Sequence, residues 1–256
     1  MNKPYGGKNS SAKEIAYSAV MAALLIGGQF VFSNVVGVEV VTVLLCCFSF
    51  VFGKRAGVLS AAAFALLRCF IYGFYPDVIA LYLIYYPLFA FIFGSLGSVK
   101  EQSWQKFPVW SVVLVNAMLA VVMVFCGLFA ATDILKISRL AKGMVVTLLW
   151  VIFALAAALA AVFDTLYILR RAGKLNSPDT LKLVLVTAVA AVCTICFTLL
   201  SDVLTPLFYG WGFSSVTTAT FFYSSFIALA PQTVCTIVTV GAMFLPLTSI
   251  FKKIKR

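Results

Sequence analysis

Long apolar runs alternate with short polar breaks along all 256 residues of this chain. A helix needs about 20 consecutive apolar residues to cross the hydrocarbon core of a bilayer. The pattern predicts eight such spans, at 14–33, 36–52, 56–75, 78–97, 109–131, 144–169, 183–206 and 219–248. We therefore predict an all-α integral membrane protein: a bundle of about eight transmembrane helices in a single domain over residues 1–256, with residues 1–13 as a cytoplasmic N-terminal tail.

The composition strengthens this prediction and excludes several kinds of chemistry. Hydrophobic residues make up 63% of the chain and charged residues 11%, and the mean hydropathy is +1.10. In soluble domains, about 45–50% of the residues are apolar and about 25% are charged. Histidine, the commonest general base and metal ligand, is absent. No phosphate-binding GxxxxGK[ST] motif occurs. We expect no catalytic residues, no metal or other cofactor, and no ATP hydrolysis by this chain.

The net charge of +11 is spread over loops and tails, so we expect no nucleic-acid partner. Fifteen of the 19 basic residues fall on one predicted side of the bilayer: Lys3, Lys8, Lys13, Lys54, Arg55, Lys100, Lys106, Arg170, Arg171, Lys174, Lys182, Lys252, Lys253, Lys255 and Arg256. The opposite side has Lys136, Arg139 and Lys142. Because basic loops stay in the cytoplasm, both termini are expected inside.

Arg68 lies within an apolar span, where a charge must be paired or hydrated. Two interpretations remain open: a structural clasp with Glu39 at the start of the preceding helix, or an arginine that recognises an anionic ligand. Asp202 is similarly open. It either caps the end of span seven, where Pro206 suggests a helix end or break, or faces an outer cavity.

The short loops between the first four spans predict that consecutive helices are neighbours in space, which brings a set of polar and aromatic residues to the outer end of the bundle. We predict a ligand cavity there that binds a flat, polar-edged molecule. Its expected lining is Gln29, Asn34, Glu39, Arg68, Tyr72, Tyr82, Tyr86 and Asp202.

The first span carries small residues at helical spacing. Ala12, Ala16, Ala19 and Ala23 share one face, along which another helix could approach closely. The stripe either packs within the chain or docks a second membrane subunit.

Several local sequences together resemble the substrate-binding (S) component of an energy-coupling factor vitamin transporter. They are the lysine-flanked first helix KEIAYSAVMAALLIGGQ, Asn34 with Glu39–Thr42 leading into helix two, and Phe52–Arg55 at its end. Tyr72–Phe74, Tyr85–Leu88 and the final Ala228–Pro231 helix with its basic tail complete the resemblance. Family members commonly have six helices, so 107–172 is interpreted as an inserted two-helix hairpin, and Ser33 replaces a frequent proline.

The resemblance implies a mechanism without chemistry in this chain. An S component captures a small vitamin-like molecule near the outer face and docks through helix one on a coupling transmembrane subunit. Two ATPase subunits then drive uptake across a prokaryotic plasma membrane, so the chain would be one subunit of an ABC transporter. The alternatives are a secondary transporter, or a polytopic membrane protein that is not a transporter.

Overall fold

The protein is described by a computed structural model covering residues 7–33, 40–99, 104, 109–131, 139–174, 178–212 and 216–255. These residues form long α-helices, and none of them is in a β-strand. The helices are α1 (Gly7–Phe32), α2 (Val40–Phe52), α3 (Lys54–Tyr72), α4 (Pro76–Gly97), α5 (Val109–Ala131), α6 (Arg139–Arg171), α7 (Pro178–Tyr209) and α8 (Val216–Lys255).

The helices confirm an all-α, multi-pass membrane protein. Seven of those in the described residues are long and apolar enough to cross a bilayer. The exception is α2, which has 13 residues and rises roughly 20 Å, less than the ~30 Å hydrocarbon core. Most of its side chains are buried. Its predicted start, residues 36–39, lies outside the described residues.

Two helix ends differ from the expected spans. α1 already begins at Gly7, so part of the predicted tail is helical. α7 continues through Pro206 to Tyr209, and the suggestion that it ends or breaks at that proline was wrong. The helix stops instead before Gly210, whose φ of 67° is a left-handed conformation that glycine adopts without strain.

The chain divides into two compact units. The first unit contains α1–α4 and the end of α8 from Leu245 onwards; the second contains α5, α6, α7 and α8 up to Phe244. The predicted hairpin 107–172 corresponds to α5 and α6, which pack on each other and on α7 within the second unit. Its status as an insertion stays a prediction.

The two ends of the described chain meet in the first unit. Tyr17 Oη on α1 lies 3.4 Å from the carbonyl oxygen of Ile254, and Lys255 Nζ donates to the carbonyl of Val51 near the end of α2. Phe251 packs against Phe52. We call this the terminal end of the first unit and the opposite end its distal end. Both described chain ends therefore lie at the terminal end.

We expect both termini to be cytoplasmic, because the sequence puts 15 of the 19 basic residues on the same predicted side of the bilayer as the termini. In a cysteine-free background, an impermeant maleimide added to intact cells should not label Lys253→Cys and should label Lys136→Cys. Permeabilised cells are the control and should show labelling at both positions. External labelling of Lys253→Cys would contradict this topology.

Candidate functional site

The residues predicted to line a ligand cavity fall into three groups. Five of them lie in the first unit: Gln29, Arg68, Tyr72, Tyr82 and Tyr86. Asp202 belongs to the second unit. Asn34 and Glu39 lie outside the described residues, so the proposed Arg68–Glu39 clasp stays a prediction.

Arg68 lies between two tyrosine rings at the distal end of the first unit. It is 14 residues, or roughly 21 Å, along α3 from Lys54. Its guanidinium carbon is 4.0 Å from the ring centroid of Tyr82 on α4 and 5.1 Å from that of Tyr72, one turn later on α3. Such cation–π contacts contribute about 0.5–2 kcal/mol, depending on solvation. Arg68 therefore faces α4, and aromatic faces partly offset the loss of water around its charge.

Gln29 on α1 joins the same group. Its Nε2 donates a hydrogen bond to the Tyr82 hydroxyl at 3.3 Å. Tyr82 also packs against Tyr86, one turn further along α4, with ring centroids 4.9 Å apart. Three helices, α1, α3 and α4, thus contribute to one contiguous cluster.

Phe64 forms the buried side of this cluster, and sequence reasoning missed it. Its ring is fully buried and packs edge-on against Tyr86 at 5.1 Å, and lies 6.1 Å from Tyr82. The sequence does contain a signal for Phe64: Phe64, Arg68 and Tyr72 are spaced four residues apart, which puts all three on one face of α3. We call Gln29, Phe64, Arg68, Tyr72, Tyr82 and Tyr86 the Arg68 cluster.

Three polar atoms of the Arg68 cluster are buried without a hydrogen-bond partner among the described residues: Arg68 Nε, Gln29 Oε1 and the Tyr72 hydroxyl. No described carboxylate forms a salt bridge with Arg68. Buried polar groups are usually satisfied, and each one left unmatched costs about 1–3 kcal/mol. The cluster therefore offers the guanidinium of Arg68 as a cation, the hydroxyl of Tyr72 as a hydrogen-bond donor or acceptor, and Oε1 of Gln29 as an acceptor, all beside aromatic rings. This set suits a flat ligand with an anionic group.

Asp202 has a separate environment in the second unit. Its side chain, on α7, is buried, and Oδ2 lies 2.8 Å from the hydroxyl oxygen of Ser225 on α8. Its other oxygen, Oδ1, has no hydrogen-bond partner among the described residues. Ser225 was not predicted; the adjacent hydroxyls of Ser224 and Ser225 within α8 were its signal in the sequence.

The alanine stripe lies on the surface of α1. Ala12, Ala16, Ala19 and Ala23 are all exposed. The buried face of α1 is formed by other residues, namely Ser18, Met21, Ala22 and Leu25. The described chain therefore leaves the stripe free to contact another helix.

The second unit also contains an apolar cavity of about 250 Å³ between α5 and α7. Its lining is Met118, Val121, Val122, Phe125, Val192, Ile195, Cys196 and Leu199. None of the residues predicted to bind a ligand lines it. In the part of the chain that the structure describes, no group of three or more metal-ligating side chains is present.

Comparison with other proteins adds no relative to these observations. The chain matches no known protein family, no curated protein and no solved structure.

Proposed function

We propose that this chain is the substrate-binding membrane subunit of an energy-coupling-factor type ABC transporter for vitamin uptake. It captures a small vitamin-like molecule at the distal end of the first unit and docks on a coupling transmembrane subunit powered by two separate ATPase subunits. Its place is the plasma membrane of a prokaryote, with both termini in the cytoplasm.

The Arg68 cluster is the observation that carries this proposal. An arginine stacked on two tyrosines, with its Nε buried and unmatched, supplies charge and aromatic surface for an anionic, flat molecule. The cluster lies at the end of the unit opposite the chain termini, which is the outer face if the basic residues are cytoplasmic. A vitamin with a carboxylate and a ring meets both requirements.

The exposed alanine stripe supports the docking half of the proposal. Small side chains allow helix backbones to approach closely in a bilayer, where van der Waals packing drives association. Among the described residues, the stripe occupies a surface that is not used for the core. Separate ATPase subunits would also account for the missing ATP-binding motif.

The docking surface can be tested with Ala19→Trp. A bulky ring on the stripe should abolish uptake of radiolabelled vitamin in cells that express all the subunits, while the purified chain still binds that vitamin. The ring keeps a second helix at a distance without disturbing the buried face of α1.

Two other alanines provide matched controls. Ala120→Trp, at an exposed position on α5, should leave uptake unchanged. Ala22→Trp, at a position 1% exposed, should lose folding, binding and uptake together. If Ala19→Trp behaves like Ala22→Trp, the stripe packs within the chain, and if it behaves like Ala120→Trp, the stripe is not the docking face.

A second candidate function is a proton-coupled secondary transporter, which the buried Asp202 favours, since ionisable residues within spans commonly mark proton pathways. The two candidates differ in their requirements. The purified chain alone, in vesicles with an imposed proton gradient, should not accumulate vitamin if the first proposal holds. Accumulation without ATPases would favour the second.

A further inference from the structure

Asp202, buried in the last third of α7, is hydrogen-bonded to the half-buried Ser225 on α8, and both residues belong to the second unit. Asp202 is 5% exposed and lies in an apolar stretch of a spanning helix. A lone carboxylate in such surroundings is costly unless it is paired, hydrogen-bonded or neutral.

The number of hydrogens available around Ser225 indicates that the carboxyl group of Asp202 is neutral. Ser225 Oγ is 2.8 Å from Asp202 Oδ2 and 2.7 Å from the main-chain carbonyl oxygen of Phe222. A serine hydroxyl has one hydrogen to donate, and the carbonyl of Phe222 has none. If Ser225 donates to Phe222, as serines in helices commonly do to the preceding turn, the hydrogen between Ser225 and Asp202 must come from Asp202.

The charges around Asp202 agree with a neutral side chain. α5 and α8 up to Phe244 contain no charged residue. On α7 itself the nearest charged residue is Lys182, which is 20 residues, or roughly 30 Å, from Asp202 along the helix. Its ammonium group lies over the Trp104 ring. On α6 the described charged side chains are Asp164, Arg170 and Arg171, and Arg170 bonds to the carbonyl of the same Trp104.

The remaining titratable groups on these helices are thiols and tyrosines. The thiols are Cys126, Cys193, Cys196 and Cys235, and the tyrosines with described side chains are Tyr167 and Tyr209. None of these is hydrogen-bonded to Asp202 among the described residues. Arg139, Lys142 and Tyr223 lie outside the described side chains.

We propose that Asp202 and Ser225 form a proton-binding site, in which Oδ2 of Asp202 carries the proton and donates it in a hydrogen bond to Ser225 Oγ, while Ser225 donates to the carbonyl of Phe222. Releasing the proton would leave a carboxylate with one possible donor and an unmatched Oδ1 in apolar surroundings. Proton loss should therefore open the Asp202–Ser225 contact to water or to a cation.

Infrared spectroscopy of the full-length chain in lipid nanodiscs tests this site. The carbonyl stretch of a protonated carboxylic acid is separate from the bands of a carboxylate. At neutral pH, the wild-type spectrum minus that of Asp202→Asn should show one carboxylic acid group per chain. Asp179→Asn is the control on the same helix, since this exposed residue is ion-paired with Lys182, and it should remove only a carboxylate.

Ser225→Ala provides a second, independent variant that keeps the carboxyl group. It should shift the acid band of Asp202 to higher frequency, because the acid loses its hydrogen-bond acceptor. An unshifted acid band in Ser225→Ala would contradict the hydrogen bond between Asp202 and Ser225. If Asp202→Asn removed a carboxylate band and no acid band, the proton-binding site would be overturned.

Exchange of choline for sodium distinguishes a proton from a metal cation. The acid band should be unaffected by sodium if the site binds a proton. Conversion of Asp202 to a carboxylate on adding sodium would overturn the proposal in favour of a cation site. These measurements do not depend on the transport function, so the two proposals can fail separately.

Discussion

Arg68→Ala is expected to weaken vitamin binding on the order of 100-fold, or about 2.8 kcal/mol, while the unliganded protein stays folded. Removing one partner of a buried, hydrogen-bonded charge pair costs about 2–5 kcal/mol. Arg68 would form such a pair with the anionic group of the ligand. The measurement is calorimetric titration of the purified chain with a panel of water-soluble vitamins, with and without a carboxylate.

Two variants of the same helix sharpen this test. Arg55→Ala removes an exposed arginine at the start of α3 and should leave the affinity unchanged. Arg68→Lys should recover the affinity only in part, because lysine keeps the charge but loses the planar group that stacks on Tyr82.

The competing interpretation makes a different prediction for Arg68→Ala. If Arg68 serves only as a structural clasp, the alanine variant should lose expression and thermal stability whether or not a vitamin is present. A stable variant with unchanged affinity would remove Arg68 from the binding site.

Gly97→Ala is expected to cause a large loss of stability in the first unit. A Cβ at Gly97 on α4 would overlap the main-chain carbonyl of Phe50 on α2. One turn earlier, a Cβ at Gly94 would lie 2.7 Å from the backbone of Lys54. Helix backbones would have to separate, so the cost should reach the upper end of the usual range for overpacking, about 3 kcal/mol.

The effect should appear as a lower melting temperature in detergent and a smaller yield of folded protein. Gly127→Ala is the matched control, because a Cβ there meets no atom within 4 Å. This control should be neutral or slightly stabilising, since glycine within a helix is about 0.5–1 kcal/mol less favourable than alanine. Equal stability of the two variants would mean that α2 and α4 are not in close backbone contact.

The sequence by itself determined the helices and the class of protein. Hydropathy is a local property, because each span must be apolar over its own length whatever it packs against. The prediction for 109–131 therefore coincides with α5 at both ends. The sequence also identified Arg68 as a residue that needs polar or aromatic partners, since the free-energy penalty for a charge in a membrane span does not depend on the fold.

Only the tertiary structure decided which side chains meet. Whether Tyr82 faces Arg68 depends on the rotation of α3 and α4 about their axes, and nothing local in either helix fixes that rotation. The same holds for Phe64 beneath the tyrosines, for Ser225 beside Asp202, and for Asn116 on α5, which bonds Asp164 on α6 at 2.7 Å. The division into two units, with Asp202 in one and the Arg68 cluster in the other, arises likewise from packing between distant segments.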